Sequence, residues 1–180
     1  MSASILIAPA SLADAAPIAA IYAHHVRHGT ATFETVPPGV DEIAARMAKV
    51  LDAGWPWLVA REGQGGDVVG YAYAAQYNPR AGYRYACEDS IYLRHDRQGR
   101  GLGTRLLAAL LEASQACGFR QMIAGIAGSE PASLALHARA GFAQVARLAS
   151  VGRKHGQWLD VIYMQRALGD GDAAPPPQEP

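Results

Sequence analysis

The chain is poor in cysteine. Cys87 and Cys117 are its only two, too few for a disulfide framework, and they form no CxxC pair. Both fall in apolar segments, which reads as buried free thiols. Net charge is missing too: 16 Lys and Arg balance 16 Asp and Glu. A protein that neutralises many phosphates carries a basic excess, so no nucleic-acid partner is expected. No apolar run reaches the roughly 18 residues of a membrane span. The N-terminal "MSASILIAPASLADAAP" lacks the basic start and long apolar stretch of a signal peptide. No membrane partner is expected, and the cytoplasm is the expected compartment. Two phosphate motifs are absent as well. No Lys-Ser/Thr follows the glycines of "RQGRGLG" (Arg97 to Gly103), which excludes a Walker loop. Gly99-x-Gly101-x-Gly103 runs on into Thr104 and Arg105, which breaks the dinucleotide fingerprint GxGxxG, and it lies mid-chain rather than in a first strand-helix-strand unit.

What is present suits one domain. The chain has 180 residues, 50% of them hydrophobic, enough for a single core. Residues 1–168 read as that domain. The tail 169–180, "GDGDAAPPPQEP", is Pro-rich without a large apolar residue and reads as disordered. "SILIAP" reads as a strand. Ser11 and Asp14 have capping-box spacing, with Asp in place of Glu or Gln. A helix follows, with Ile18, Ile21, Tyr22 and Val26 at helical intervals. A second helix spans "VDEIAARMAKVLDAG". "WPWLVARE" and "VVGYAYAAQYN" are strands joined by a glycine-rich turn, and "YRYACEDSIYL" is another. "GTRLLAALLEASQACG" is a helix that stops at Gly118. A strand "RQMIAGIAG", a helix "EPASLALHARAG" and two closing strands around "RKHGQ" complete the order β-α-α-β-β-β-α-β-α-β-β. This predicts an α/β (α+β) fold: a mixed central sheet with helices on both faces.

The segment "RQGRGLG" lies between a strand and a helix. There the first backbone N–H groups of the helix are unpaired and its dipole is positive. Gly99, Gly101 and Gly103 let a ligand approach the backbone, and Arg97 and Arg100 add charge. The physical reading is an anion cradle, best suited to a pyrophosphate; the alternative is an ordinary strand-to-helix turn. Gln98-x-x-Gly101-x-Gly103, with "SIYL" before it and an amphipathic helix after, resembles the acetyl-CoA loop of the GCN5-related N-acetyltransferases (GNAT). "SLALHARAGF", Ser133 to Phe142, resembles that family's later helix, and the likeness covers roughly residues 4–168. It implies the splayed sheet of that fold, with acetyl-CoA as co-substrate entering where two parallel strands part. The pantetheine arm would pair with Ile91, Tyr92 and Leu93. The pyrophosphate would lie on Gly99, Arg100, Gly101, Leu102, Gly103 and Thr104, beside Gln98. "TATFETVPP", "YNPRAGYRY", "LHARAGF" and "RKHGQWLDV" resemble the phosphinothricin and methionine sulfoximine acetyltransferase subgroup. This implies transfer to the α-amino group of a small amino-acid-like amine in a ternary complex, and a homodimer through the N-terminal helices and closing strands.

An α-amino group is mostly protonated at neutral pH, so a base helps it attack a thioester. Glu88 shares a strand face with Ser90 and Tyr92 unless a bulge intervenes. Taken alone, Glu88 is a surface carboxylate; the resemblance makes it the base, acting through water. His137 stands where the wider family has a tyrosine that protonates the departing thiolate. An imidazole serves as base or acid, and the residues do not separate those roles for Glu88 and His137. Arg80, in the loop shaped by Asn78 and Pro79, suits a substrate carboxylate or phosphinate. Phe33 and Tyr83 are expected to wall the substrate pocket, with Glu88, Asp89 and Ser90 as further substrate contacts.

Glu130 departs from the family, which has asparagine in a cofactor contact there. A carboxylate beside CoA phosphates repels them, and Glu130 with Ser133 also suits a helix cap; both are carried as cofactor contacts. His24 and His25 are adjacent on a helix and point about 100° apart, a poor metal pair, and no metal is expected. Two other readings stand beside the small-molecule enzyme: an acetyltransferase acting on a peptide or protein amine, and a non-catalytic CoA-binding module.

Overall fold

The sheet begins and ends on edge strands far apart in sequence. Its order is β1-β2-β3-β4-β5-β7-β6, with β1 Ile5–Pro9, β2 Trp57–Glu62, β3 Val68–Gln76, β4 Ala86–Leu93, β5 Gln121–Ala127, β6 Ala143–Lys154 and β7 Gln157–Ala167. The helices are α1 Ala15–His28, α2 Val40–Asp52, α3 Leu102–Ala116 and α4 Pro131–Arg139. A computed structural model describes residues 4–179; Met1, Ser2, Ala3 and Pro180, the outermost residues of the expected domain and tail, lie outside the described residues. The element order and the mixed sheet with helices on both faces agree with the sequence.

Two apolar layers hold the sheet. On one face Ile18, Tyr22 and Val26 of α1 and Ile43 and Met47 of α2 pack on Trp57, Val59 and Tyr71. On the other, Leu106, Leu107 and Leu110 of α3 pack on Leu58, Ala72, Met122 and Met164. Leu58 and Val59 take opposite faces because successive strand side chains alternate. At the head of α1 the Ser11 N–H donates to the Asp14 carboxylate at 2.9 Å, as the capping spacing predicts, and Asp14 pairs with Arg61.

The feature that positions the site is a split. β4 pairs with β5 in parallel only from Ala86–Gln121 to Glu88–Ile123. Beyond Glu88, β4 stays bonded to β3 through Leu93 and β5 stays bonded to β7 through Ala127, so the two strands diverge. At the far edge, β6 and β7 meet in the two-residue turn His155–Gly156, with φ of 48° and 75°. Positive φ at both positions matches the twist of a tight hairpin.

Two details differ from the sequence reading. β4 starts at Ala86 rather than Tyr83, because Ala81–Tyr83 forms a single tight helical turn. Cys87 is buried but Cys117 is exposed, since it follows the last turn of α3. Residues 169–179 form turns with neither helix nor strand; Arg120 donates to the carbonyls of Gly171 at 3.2 Å and Ala174 at 3.4 Å.

Candidate active site

The diverging strands open onto a cavity of about 380 Å³. β4 lines it from Asp89 to Leu93 and β5 from Ala124 to Ala127. The glycine joint closes its mouth. Gly99 has φ +73° and Gly101 φ +74°, left-handed values that side chains with a Cβ adopt at a cost of roughly 1–2 kcal/mol. Gly101 is the residue from which α3 starts, so the first free N–H groups of that helix face the cavity mouth. Gly103 lines the cavity and lies against Leu136, where a Cβ would come within 3.4 Å. These are the features that an anion seat requires.

Charge is arranged differently from expectation. Arg97 does not reach the seat: it binds Glu62 at 2.5 Å and Asp96 at 2.5 Å. Arg100 is exposed and Leu102 is buried in the α3 core; neither side chain lines the cavity, whereas Gln98 and Thr104 do. The Glu130 side chain makes no helix cap. Its carboxylate accepts from the Thr30 hydroxyl at 2.7 Å, while the Lys154 ammonium donates to the Thr32 carbonyl at 2.7 Å. These bonds tie the loop after α1 to the head of α4 and to the tip of β6, beside the cavity. Burial lowers the Lys154 pKa, partly offset by Glu130 and Glu34.

The β3–β4 register is unbroken from Gly70–Leu93 to Gln76–Cys87, so Glu88, Ser90 and Tyr92 share the face under α1. The Glu88 carboxylate crosses to β5 and lies over Gly125; a Cβ on Gly125 would meet its Oε1 at 2.9 Å. Burial, and then the neighbouring Asp89 carboxyl, raise the Glu88 pKa above its ordinary 4.5.

Asp89 and His137 occupy the other face. Asp89, expected to touch substrate, is buried at 7% exposure, with Oδ2 3.0 Å from Nε2 of His137. His137 is 2% exposed, and its Nδ1 lies 2.8 Å from the Ser133 carbonyl. Burial acts to lower the His137 pKa; the hydrogen bond and charge of Asp89 and the Ser133 carbonyl outweigh it and raise the value above 6.5. Glu88 and His137 therefore flank the split from opposite sides of β4.

Glu88 is itself not among the residues that line the cavity, and the remaining expected substrate residues also stand apart from that lining. Asn78, Pro79, Arg80 and Tyr83 lie in the β3–β4 connection, Asn78 half-buried and the other three exposed, and Asn78 Oδ1 accepts the Arg80 N–H at 3.1 Å. Phe33 lies on β6, directly over Gly152. Sequence reasoning missed four participants: Gly125, Thr30, Lys154 and His25. The His25 Nε2–H donates to the Leu93 carbonyl at 2.8 Å and the ring lines the cavity. Nothing local marks these residues, because each gains its role from a distant strand or loop.

The chain is similar to known proteins over most of its length. The acetyltransferase (GNAT) family profile matches residues 20–142. The chain is 51% identical over 164 residues to a phosphinothricin N-acetyltransferase of Alcaligenes faecalis, covering 91% of this chain and 82% of that one. It is 39% identical over 175 residues to an L-methionine sulfoximine/L-methionine sulfone acetyltransferase of Pseudomonas aeruginosa, covering 97% and 100%. A crystal structure of a GNAT superfamily phosphinothricin acetyltransferase from Sinorhizobium meliloti, in complex with acetyl-CoA, superposes with a TM-score of 0.94 at 42% identity, covering 99% of this chain and 95% of that one.

Proposed function

The chain belongs to the acetyltransferase (GNAT) family, and on that premise we propose that it transfers acetyl from acetyl-CoA to the α-amino group of a small amino-acid-like substrate. Phosphinothricin, methionine sulfoximine or a related L-amino acid fits that class. The observation that carries the reading is the pairing of two features across one split: the α3 anion seat at the mouth and the half-buried Glu88 carboxylate over Gly125. The seat suits the pyrophosphate of CoA. Ile91, Tyr92 and Leu93 offer a strand edge along which a pantetheine arm runs toward Glu88. A carboxylate with a raised pKa is a stronger base than a surface one and takes the ammonium proton that blocks attack. The amine gives up two protons in the overall reaction; one ends on the CoA sulfur and one leaves to solvent.

Arg80, Tyr83 and Phe33 serve the substrate side. A guanidinium on the β3–β4 connection fits a carboxylate or phosphinate. A second copy of the chain completes this side in a homodimer. β6 is a 12-residue edge strand, and Val145, Leu148, Val151 and Trp158 stand 43–62% exposed on the β6–β7 pair. A long edge with exposed apolar side chains is a pairing surface. Among the described residues no helix is long and apolar enough to cross a membrane, and dependence on acetyl-CoA favours the cytoplasm.

Thiol release from acetyl-CoA, measured with L-amino acids, phosphinothricin, methionine sulfoximine and a peptide panel, tests the reading. Turnover with a free amino acid or its analogue is expected. Release with peptides alone would make the protein a peptide acetyltransferase, and release with neither would leave a CoA-binding module.

A further inference from the structure

Two side chains converge on the glycine of β5. A Cβ on Gly125 would meet Glu88 Oε1 at 2.9 Å and Tyr163 Cε1 at 3.5 Å, because Gly125 pairs across the ladder with Tyr163 of β7. Gly125 lines the cavity between the strands and Glu88 does not, so the missing side chain leaves a window from the cavity to the carboxylate. β3 completes the surroundings. Ala75 stands opposite Glu88 and Tyr73 opposite Ser90, and Tyr77 extends the ladder, its N–H donating to the Ala86 carbonyl at 2.9 Å. Alternation puts Tyr73, Ala75 and Tyr77 on the face of Glu88. The carboxylate thus stands in a bay. Its floor is small, Ala75 and Gly125, and its walls are tyrosines: Tyr73 and Tyr77 on one side, Tyr163 on the other.

The bay has the chemistry of a cation site. Among the described residues, no hydrogen bond and no opposite charge acts on the Glu88 carboxyl. Arg46, the cation whose charge reaches Tyr73, is bound to Glu34 and Glu42. Lys154 is spent on the Thr32 carbonyl. A half-buried carboxylate without a partner gains from a positive ligand. The rings add to this. Burial, then the Glu88 charge, then Tyr77, raise the Tyr163 pKa above 10.0, so the phenol keeps its proton and the ring carries no charge at neutral pH. A tyrosine ring attracts an ammonium that stands within about 6 Å of its centroid, over its negative face.

We propose that Tyr163, backed by Tyr73 and Tyr77, seats the protonated α-amine of the substrate over Gly125, and that Tyr163 determines the preference for a charged amine over a neutral group of the same shape. This rests on the acetyltransferase reading above and goes beyond it by assigning the recognition of the ammonium. Glu88 supplies the charge; the rings shield it from water and fix where the cation sits. The carboxylate belongs to β4 and the Tyr163 ring to β7, so the seated group spans both sides of the split, beside the window. Tyr77 continues toward the β3–β4 connection, its ring 5.9 Å from that of Tyr83.

The test is calorimetry of methionine sulfoximine binding to the full chain saturated with CoA, which carries no acetyl group and so permits no turnover. Parent, Tyr163→Phe and Tyr163→Leu are compared, each also with the analogue that has a hydroxyl in place of the α-amine. Tyr163→Phe keeps the ring face and should bind methionine sulfoximine within about 2-fold of the parent. Tyr163→Leu should lose on the order of 10-fold, while its affinity for the hydroxyl analogue and for CoA stays parental. Parental binding of methionine sulfoximine by Tyr163→Leu overturns the proposal. An equal loss for amine and hydroxyl analogue overturns it too, since the ring would then only pack. If Tyr163→Leu does not fold, NMR of the parent decides: magnetisation transfer from the Tyr163 ring to the α-proton of bound methionine sulfoximine supports the seat, and its absence overturns it. An enzyme that acetylates amines with KM indifferent to Tyr163→Leu loses this seat and keeps its activity. A protein that binds the amine through Tyr163 but releases no thiol keeps the seat and loses the acetyltransferase reading.

Discussion

The Glu88 carboxylate lies over Gly125, close enough that a Cβ there would stand 2.9 Å from Oε1. The atom that would have to move is the free end of a flexible side chain, so the fold has little to lose and the carboxylate has much.

Gly125→Ala is therefore expected to fold as well as the parent. Replacing a strand glycine by alanine gains roughly 0.5–1 kcal/mol, and melting should be unchanged or slightly higher. Turnover should fall while acetyl-CoA affinity holds, because only Glu88 is displaced. Calorimetry for the cofactor, beside a steady-state rate, separates the two. An alanine variant with parental kcat would show that the placement of Glu88 over Gly125 is incidental.

Glu88→Gln keeps the shape and removes the base. A loss of about 10²–10⁴-fold in kcat is expected, with acetyl-CoA binding like the parent. The parent's acid limb should lie above the ordinary carboxylate range, since burial first and Asp89 second raise this pKa. Activity then appears as pH rises through the raised value. A limb at the ordinary value, or a glutamine variant with near-parental turnover, would return Glu88 to a spectator.

Gly101→Asp strikes the anion seat twice. Its φ of +74° costs a residue with a Cβ roughly 1–2 kcal/mol, and its charge repels a phosphate. The folded variant should show no measurable CoA binding by calorimetry. Unchanged affinity would remove the seat from the cofactor site.

The Asp89–His137 pair also makes stability depend on pH. His137 has a raised folded-state pKa, so its contribution is fully present below about pH 6.5, the unfolded imidazole value, and is lost as pH rises through the folded value. Asp89→Ala removes the partner that raises the His137 pKa against burial, so the variant is expected to be less stable than the parent at low pH and to lose this pH dependence. Chemical denaturation across neutral pH measures both; a stability curve that ignores Asp89→Ala would contradict the pairing.

Light scattering at micromolar concentration checks the homodimer. Leu148→Asp with Val151→Asp places two charges on exposed positions of β6, where a dimeric parent should become monomeric. A parent of monomer mass would refute the dimer outright.

The glycine joint was legible because its demands are local: left-handed φ at Gly99 and Gly101, and a helix start just after. The alternation that puts Glu88, Ser90 and Tyr92 on one face was legible for the same reason, since no bulge interrupts β4 against β3. Arg97 misled because its acceptors, Glu62 and Asp96, include a residue from the far end of β2. Asp89 misled in the same way. Beside Glu88 it reads as another site acid, and only the packing of α4 behind β4 turns it toward His137. Glu130 looked like a repulsive charge near a cofactor until the loop after α1 brought Thr30 to it.

The short β4–β5 pairing has a mechanical meaning. Only the rungs from Ala86–Gln121 to Glu88–Ile123 stitch the strands on one side of the split to those on the other. The molecule is in effect two sheets sharing a brief seam. A guest whose amides bond along one lip and whose acyl end reaches the other acts as a splint across it. A ligand bonded to both lips would couple the two halves of the sheet across that seam.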